Sequence, residues 1–277
     1  MKHSARALPK TMSIEPQPTP DVPMPAAEAP VSVPAKTKPA PVAPWWHTLL
    51  ITTLILANSF LGSSKLEHVG SGAGGKRIFL YAGTFILELV LVLLIWFGIR
   101  LRGVRMRDLI GGRWNRVEDF LIDLGIAAVF WFVAIMLLFG LRIAVGLVDL
   151  HNLQKSQEAT IRALGSLAPH SYLEAGAFLV LSVSAGLFEE IIFRGYLQKQ
   201  FHALARNAIL GIVIAGIIFG LGHGYQGGRN MLVIAVFGMF FGILAYLRKS
   251  LRPGMMAHAF QDSIAGIALF FLMRKHG

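Results

Sequence analysis

Residues 172–200 read YLEAGAFLVLSVSAGLFEEIIFRGYLQKQ. From Ala175 to Phe188 the run carries no charge. A helix crossing a hydrocarbon core needs about 20 mostly apolar residues at about 1.5 Å each, and this stretch is long enough. Its second half then breaks the pattern with Glu189, Glu190 and Arg194. Ionisable groups at membrane depth cost roughly 2.5–3.5 kcal/mol each on insertion scales, so each needs a reason. The stretch is read as a membrane helix that carries chemistry.

The rest of the chain agrees with that reading. Of its 277 residues 55% are hydrophobic, and the mean hydropathy is +0.60. A soluble domain of this length needs more polar surface to face water. The apolar residues lie in long blocks rather than at helix or strand periods. Spans are expected at about 45–62, 78–99, 120–147, 172–200, 205–224, 230–248 and 254–273. Trp45 and Trp46 open the first as an interfacial anchor. The expected fold class is an all-α membrane protein, a bundle of about seven transmembrane helices whose last four enclose a polar intramembrane cavity. There is no cysteine, which excludes disulfides, thiolate metal sites and cysteine nucleophiles.

A formal charge of +11 could suggest nucleic acid, but the excess is local. Arg100, Arg102, Arg105, Arg107, Arg113 and Arg116 crowd the connection after the second span, and Arg248, Lys249 and Arg252 follow the sixth. Basic connections of this kind are the positive-inside signal and favour anionic headgroups, so the expected partner is the lipid bilayer and not nucleic acid. With seven spans both connections fall on one side, which places the N-terminus in the cytoplasm and the C-terminus outside; the expected location is the plasma membrane. The basic end Arg274-Lys275 dissents mildly from that topology.

Residues 1–44 hold eleven of the thirteen prolines and are read as a disordered, proline-rich tail ahead of a transmembrane domain over 45–277. The tail lacks the apolar core of a cleavable signal peptide, so the first span is read as a retained anchor. Gly70 to Lys76 approaches the spacing of a phosphate-cradling loop. Arg77 stands where a hydroxyl should hold magnesium, and no strand precedes it. That segment is read as a hairpin between two spans.

The candidate chemistry lies in the last four spans. Glu190 and Arg194 are four apart, on one helical face, and suit an intrahelical ion pair. Glu189 sits about 100° round the helix and lacks that partner, which leaves it available as a general base. His223 ends Phe219-Gly220-Leu221-Gly222-His223, and His258 and Asp262 share a face by i, i+4 spacing. That pair could co-ligate a metal, or the carboxylate could orient the imidazole. A base, two imidazoles and a second carboxylate on three helices are the parts needed to activate water against a carbonyl. Gly238 and Gly242 form a small-residue surface that allows close helix approach. Glu88, Asp123, Arg142 and Glu174 match no motif and are read as structural pairs or interface residues.

These motifs carry a resemblance. Glu189-Glu190…Arg194, Phe219…His223 and His258…Asp262 follow in order the pattern of the CAAX-prenyl-protease and bacteriocin-processing (CPBP, or ABI) family, and the sequence is similar to its type II CAAX prenyl endopeptidases. The resemblance runs over about residues 172–265. It implies an intramembrane endopeptidase in which Glu189 activates water and Glu190 with Arg194 holds the site. His223 would stabilise the oxyanion or bind metal, and His258 with Asp262 would position water or metal. A Zn²⁺ ion on His223, His258 and Asp262 and a metal-free glutamate mechanism are both open. Many members have Asn where this chain has Asp262, and the added charge favours metal somewhat. The implied substrates are prenylated C-terminal tails, bacteriocin leaders or other peptide or membrane-protein segments.

Two rivals remain from other classes. A proton-coupled transporter would also place Glu, His and Arg in the membrane, although no internal repeat supports one. A non-catalytic scaffold or regulator would suit the proline-rich tail. One geometric difficulty stands as well. On these spans Glu189 lies toward the cytoplasmic half and His223 nearer the outside, a mismatch on the order of 10 Å that tilt or a later fifth span would close.

Overall fold

A computed structural model describes residues 39–66, 76–148, 165 and 167–276. The glycine-rich segment at 67–75, read above as a hairpin, and most of the proline-rich tail lie outside the described residues. All regular structure among the described residues is helical: α1 (Trp45–Leu66), α2 (Lys76–Arg100), the short α3 (Met106–Ile110), and α4 (Val117–Val148). Then follow α5 (Tyr172–Glu189), a π-helical segment (Glu190–Leu197) and α6 (Gln198–Ala205), α7 (Ala208–Gly222), a 3₁₀ turn (Gly224–Gln226), α8 (Gly228–Arg248) and α9 (Arg252–His276). Among the described residues five helices are long and apolar enough to cross a membrane: Arg77–Arg100, Val117–Leu141, Tyr172–Ala205, Gly228–Arg248 and Arg252–Leu272. Trp45–Leu61 and Ala208–Gly222 are apolar but shorter. The described residues thus form an all-helical, multi-pass membrane protein.

Local chemistry explains the ends that differ from the apolar blocks. Helix α4 starts at Val117 rather than 120 because Asp119 Oδ2 accepts from the N–H groups of Asn115 and Arg116, closing off its first turn. Glu118 and Asp119 also suit the positive end of the helix dipole. At the start of α5, Ser171 accepts from Glu174 N–H, while Glu174 Oε2 accepts from His170 N–H at 2.7 Å and faces Arg77 at 3.8 Å. The rod of α5, the π-helical segment and α6 runs on to Ala205. It stops where Arg206 turns left-handed (φ 52°), and Asn207 then caps α7 through Ile209 and Leu210 N–H.

Close packing rests on small residues. Helix α9 lies along α5, and a Cβ on Gly186 would stand 2.5 Å from Ala259 N. Helix α8 lies along α7, where a Cβ on Gly238 would meet Phe219 at 2.8 Å and one on Gly242 would meet Ile212 at 3.0 Å. The small-residue surface read from the sequence is therefore a contact surface, complemented from α7 by Gly216 and Gly220. Gly186→Ala is expected to cost about 1–3 kcal/mol, because the obstacle is backbone that can yield only if the helix moves. Gly176→Ala on the same helix meets nothing within 4 Å and serves as the control. Equal melting temperatures for the two variants in detergent would count against this packing.

Helix α1 is tied in by polar groups. His47 Nε2–H donates to Leu94 O (2.9 Å), so its Nδ1 accepts from the Tyr196 hydroxyl (2.6 Å). Fully buried Gln200 donates to Thr48 Oγ1 (2.5 Å) and Ala43 O (2.9 Å), and its Oε1 accepts from Val42 N–H (2.7 Å). Residues just ahead of α1, grouped with the tail on proline content, are thus held against the bundle. The backbone there has its hydrogen bonds met in the interior, which offsets the cost of burying it.

The two basic connections meet at one end of the bundle. Leu251 N–H donates to Ile110 O at 2.8 Å, and Arg252 donates to Gly112 O and stacks over Trp114. Arg248 pairs with Asp123 at 2.9 Å, and Trp114 Nε1–H donates to the same carboxylate at 2.8 Å. Gly111, at φ 83°, lies where any Cβ would run into Lys249 O. Asp108 accepts from Arg105 N–H, which is the main reason its carboxyl is held below the usual carboxylate range.

Candidate active site

The rod of α5, the π-helical segment and α6 carries the doubled glutamate at its change of helix type. Glu189 is the last residue of α5 and Glu190 the first of the π-helical segment, all eight residues of which are buried. π-helical segments inside α-helices are frequent at functional sites. Glu190 is 0% exposed and lies 2.8 Å from Arg194 Nη1. The N–H is not aligned on the oxygen, so the contact is an ion pair rather than a hydrogen bond. Arg194 Nη2–H donates to Gly238 O at 3.2 Å, and its guanidinium lies 4.4 Å from the ring of Phe219 and 5.1 Å from that of Phe241. Gly254 leaves the room Glu190 needs: a Cβ there would stand 3.0 Å from Glu190 Oε2.

His258 joins the two glutamates. Its Nδ1–H donates to Glu190 Oε1 at 3.2 Å. Its Nε2 then points between Glu189 Oε2, 3.6 Å away, and Asp262 Oδ2, 3.7 Å away. Phe241 packs on the imidazole at 5.3 Å and holds its plane. His223 closes α7, and its Nδ1–H donates to Phe219 O at 2.8 Å. A carbonyl can only accept, so the neutral ring carries its proton on Nδ1 and presents a lone pair at Nε2.

Glu189, His223, His258 and Asp262 all line one cavity of about 950 Å³. Asp262 is 38% accessible at its side chain although it lies along the bundle interior, because it borders this space. Glu190 and Arg194 stand behind the wall. The walls include Ser59 from α1, Leu87 and Glu88 from α2, and Leu138 from α4, together with residues of α5, α7, α8 and α9.

The depth mismatch between Glu189 and His223 disappears. Glu189 lies sixteen residues before the end of α6, and His223 fifteen residues beyond the start of α7. These are drops of about 24 Å and about 22 Å from the same turn, so the two side chains sit level. The fourth span ends five residues later than its apolar block, at Ala205, and the fifth starts three residues later, at Ala208.

Of the residues set aside on sequence, Asp123 and Glu174 pair with Arg248 and Arg77. The side chain of Arg142 lies outside the described residues. Glu88 differs from these, because it faces the cavity and its Oε2 is buried with no hydrogen-bond partner among the described residues. A lone acid in an apolar helix was the available signal. Among the described residues no three His, Asp or Glu side chains are gathered closely enough to hold a metal ion. His223, His258 and Asp262 as placed do not fit one, and no step below is drawn through zinc.

Fold and site together define an all-helical membrane protein with a buried glutamate–histidine–aspartate site. Residues 171–264 match the family described as Type II CAAX prenyl endopeptidase Rce1-like. Over these 94 of its 277 residues the chain carries a domain that matches that protease family, which points to an intramembrane protease acting on peptide or protein substrates. No curated protein and no solved structure matches the chain.

Proposed function

We propose that this protein is an intramembrane endopeptidase in which Glu189 activates the attacking water without a metal. The observation that carries the reading is the meeting of Glu189, His223, His258 and Asp262 from α5, α7 and α9 at one cavity inside the protease domain. Water held beside Glu189 gives a proton to its carboxylate and attacks the scissile carbonyl carbon. The unprotonated Nε2 of His223 holds the same water as a second acceptor. The Nε2–H of His258, aimed by Glu190 on one side of the ring and flanked by Asp262, donates to the oxyanion as it forms. Glu189 then returns the proton to the leaving nitrogen as the C–N bond breaks. The Glu190–Arg194 pair positions His258.

The reading includes seven membrane crossings, with α5 to α9 enclosing a polar chamber closed laterally by α1, α2 and α4. The meeting of the two basic connections at one end supports a cytoplasmic N-terminus; the plasma membrane is the membrane this reading assigns. The substrate classes are those implied by the resemblance: prenylated tails, leader peptides or membrane-protein segments.

The test compares new peptide termini in membranes carrying the wild type, Glu189→Gln and His258→Ala at matched expression. Termini present with the wild type and lost in both variants are expected, and they should persist in 1,10-phenanthroline. Loss with the chelator and recovery with zinc would reinstate His223, His258 and Asp262 as ligands. Identical termini in all three membranes would sink the protease reading and favour a scaffold.

A further inference from the structure

Glu88 lies outside the protease domain, on α2, and the chemistry above leaves it unused. It is 7% exposed, borders the cavity, and its Oε2 has no hydrogen-bond partner among the described residues. It lies within electrostatic reach of Glu189 and Asp262. The charges around the cavity do not balance. Among the described residues its lining includes the carboxyl groups of Glu88, Glu189 and Asp262, two histidines, and no lysine or arginine. Arg194 faces Glu190 behind the wall, and His258 Nε2 is shared between Glu189 and Asp262. His223 has given its Nδ1–H to Phe219 O. A buried acid beside two others must either hold a proton or meet a cation, and an entering cation would relieve the cost of the charged form.

We propose that Glu88, together with Asp262, forms a recognition site for a basic side chain of the peptide substrate. The proposal rests on the endopeptidase reading and deepens it by giving the substrate segment a lysine or arginine close to the bond that is cut. The apolar part of the wall suits this occupant. Leu87 and Leu91 of α2 and Ile135 and Leu138 of α4 line the same space, and an alkyl stem can pack along such residues while its charged head reaches Glu88. A neutral or acidic residue in that position would leave the surplus of carboxylates uncompensated, so the site selects by charge.

The experiment measures fluorescence anisotropy with the purified full-length protein in detergent. The probes are a set of labelled Ala/Leu peptides carrying one lysine at successive positions, and a matched set with norleucine in its place. The wild type is expected to bind the best lysine peptide at least about tenfold tighter than its norleucine twin. In Glu88→Gln that preference should fall to within about twofold while norleucine binding stays unchanged, which also shows that the variant is folded. No lysine preference in the wild type, or a preference that survives in Glu88→Gln, would overturn the proposal. So would displacement of the lysine peptide alone by millimolar Mg²⁺, which would assign the site to an inorganic cation. A lysine preference without any cleavage would remove the endopeptidase reading and leave this site standing; cleavage without the preference would do the reverse.

Discussion

Glu189→Gln is expected to lower kcat for peptide cleavage by about 10⁴-fold, at the upper end of what a positioned general base contributes, with KM changed by less than about threefold. The amide keeps the size and shape of the carboxylate, so the cavity wall and the packing of α5 on α9 survive. It still offers an oxygen toward His258 Nε2, which lies 3.6 Å from the carboxylate in the native site. What it cannot do is take a proton from water. The loss should therefore appear in the chemical step rather than in binding. Single-turnover kinetics on the purified protein separate the two. A fall in kcat below about tenfold would remove Glu189 from the role of base and leave His223, with its free Nε2 lone pair, as the remaining acceptor.

Arg194→Met should be the most damaging substitution for stability, at about 3–5 kcal/mol, because removing one partner of a buried pair leaves an uncompensated charge. Glu190 is 0% exposed, and among the described residues its counter-charges are Arg194 and the imidazole of His258. Methionine replaces part of the volume between Phe219 and Phe241 but loses the hydrogen bond to Gly238 O. The loss should register as a lower melting temperature in detergent and a lower yield of folded protein. The double variant Glu190→Gln with Arg194→Met should recover much of it, since the stranded charge is gone. Activity should not return in the double variant, because Glu190 Oε1 also orients His258. A double variant no more stable than Arg194→Met would place the cost in packing rather than in charge.

The charged residues of the site were legible because the bilayer penalises them one by one. Glu189, Glu190, Arg194, His258 and Asp262 stand out in apolar runs, and their i, i+4 spacing assigned the ion pair before any tertiary contact was known. The same rule should have promoted Glu88, an isolated acid on α2. It was set aside for want of a motif, since its importance depends on which helix face borders the cavity. The His47–Tyr196 and Gln200–Thr48 contacts were illegible for a related reason: each joins groups about 150 residues apart, and polar residues near helix ends look like interface residues until their partners are placed.

By itself the sequence determined that the chain is helical and membrane-embedded, where its apolar blocks lie, and which polar residues had to find partners. A bilayer satisfies no backbone hydrogen bond, so a long apolar run there must be a helix, whatever surrounds it. Only the tertiary structure decided that the rod of α5, the π-helical segment and α6 continues to Ala205 and that the turn at Arg206 sets His223 level with Glu189. It alone placed His258 Nε2 between two carboxylates and Glu88 on the cavity wall. Those outcomes depend on the helix phase and depth at which glycine-lined faces come into contact, and the local pattern of hydrophobicity carries neither quantity.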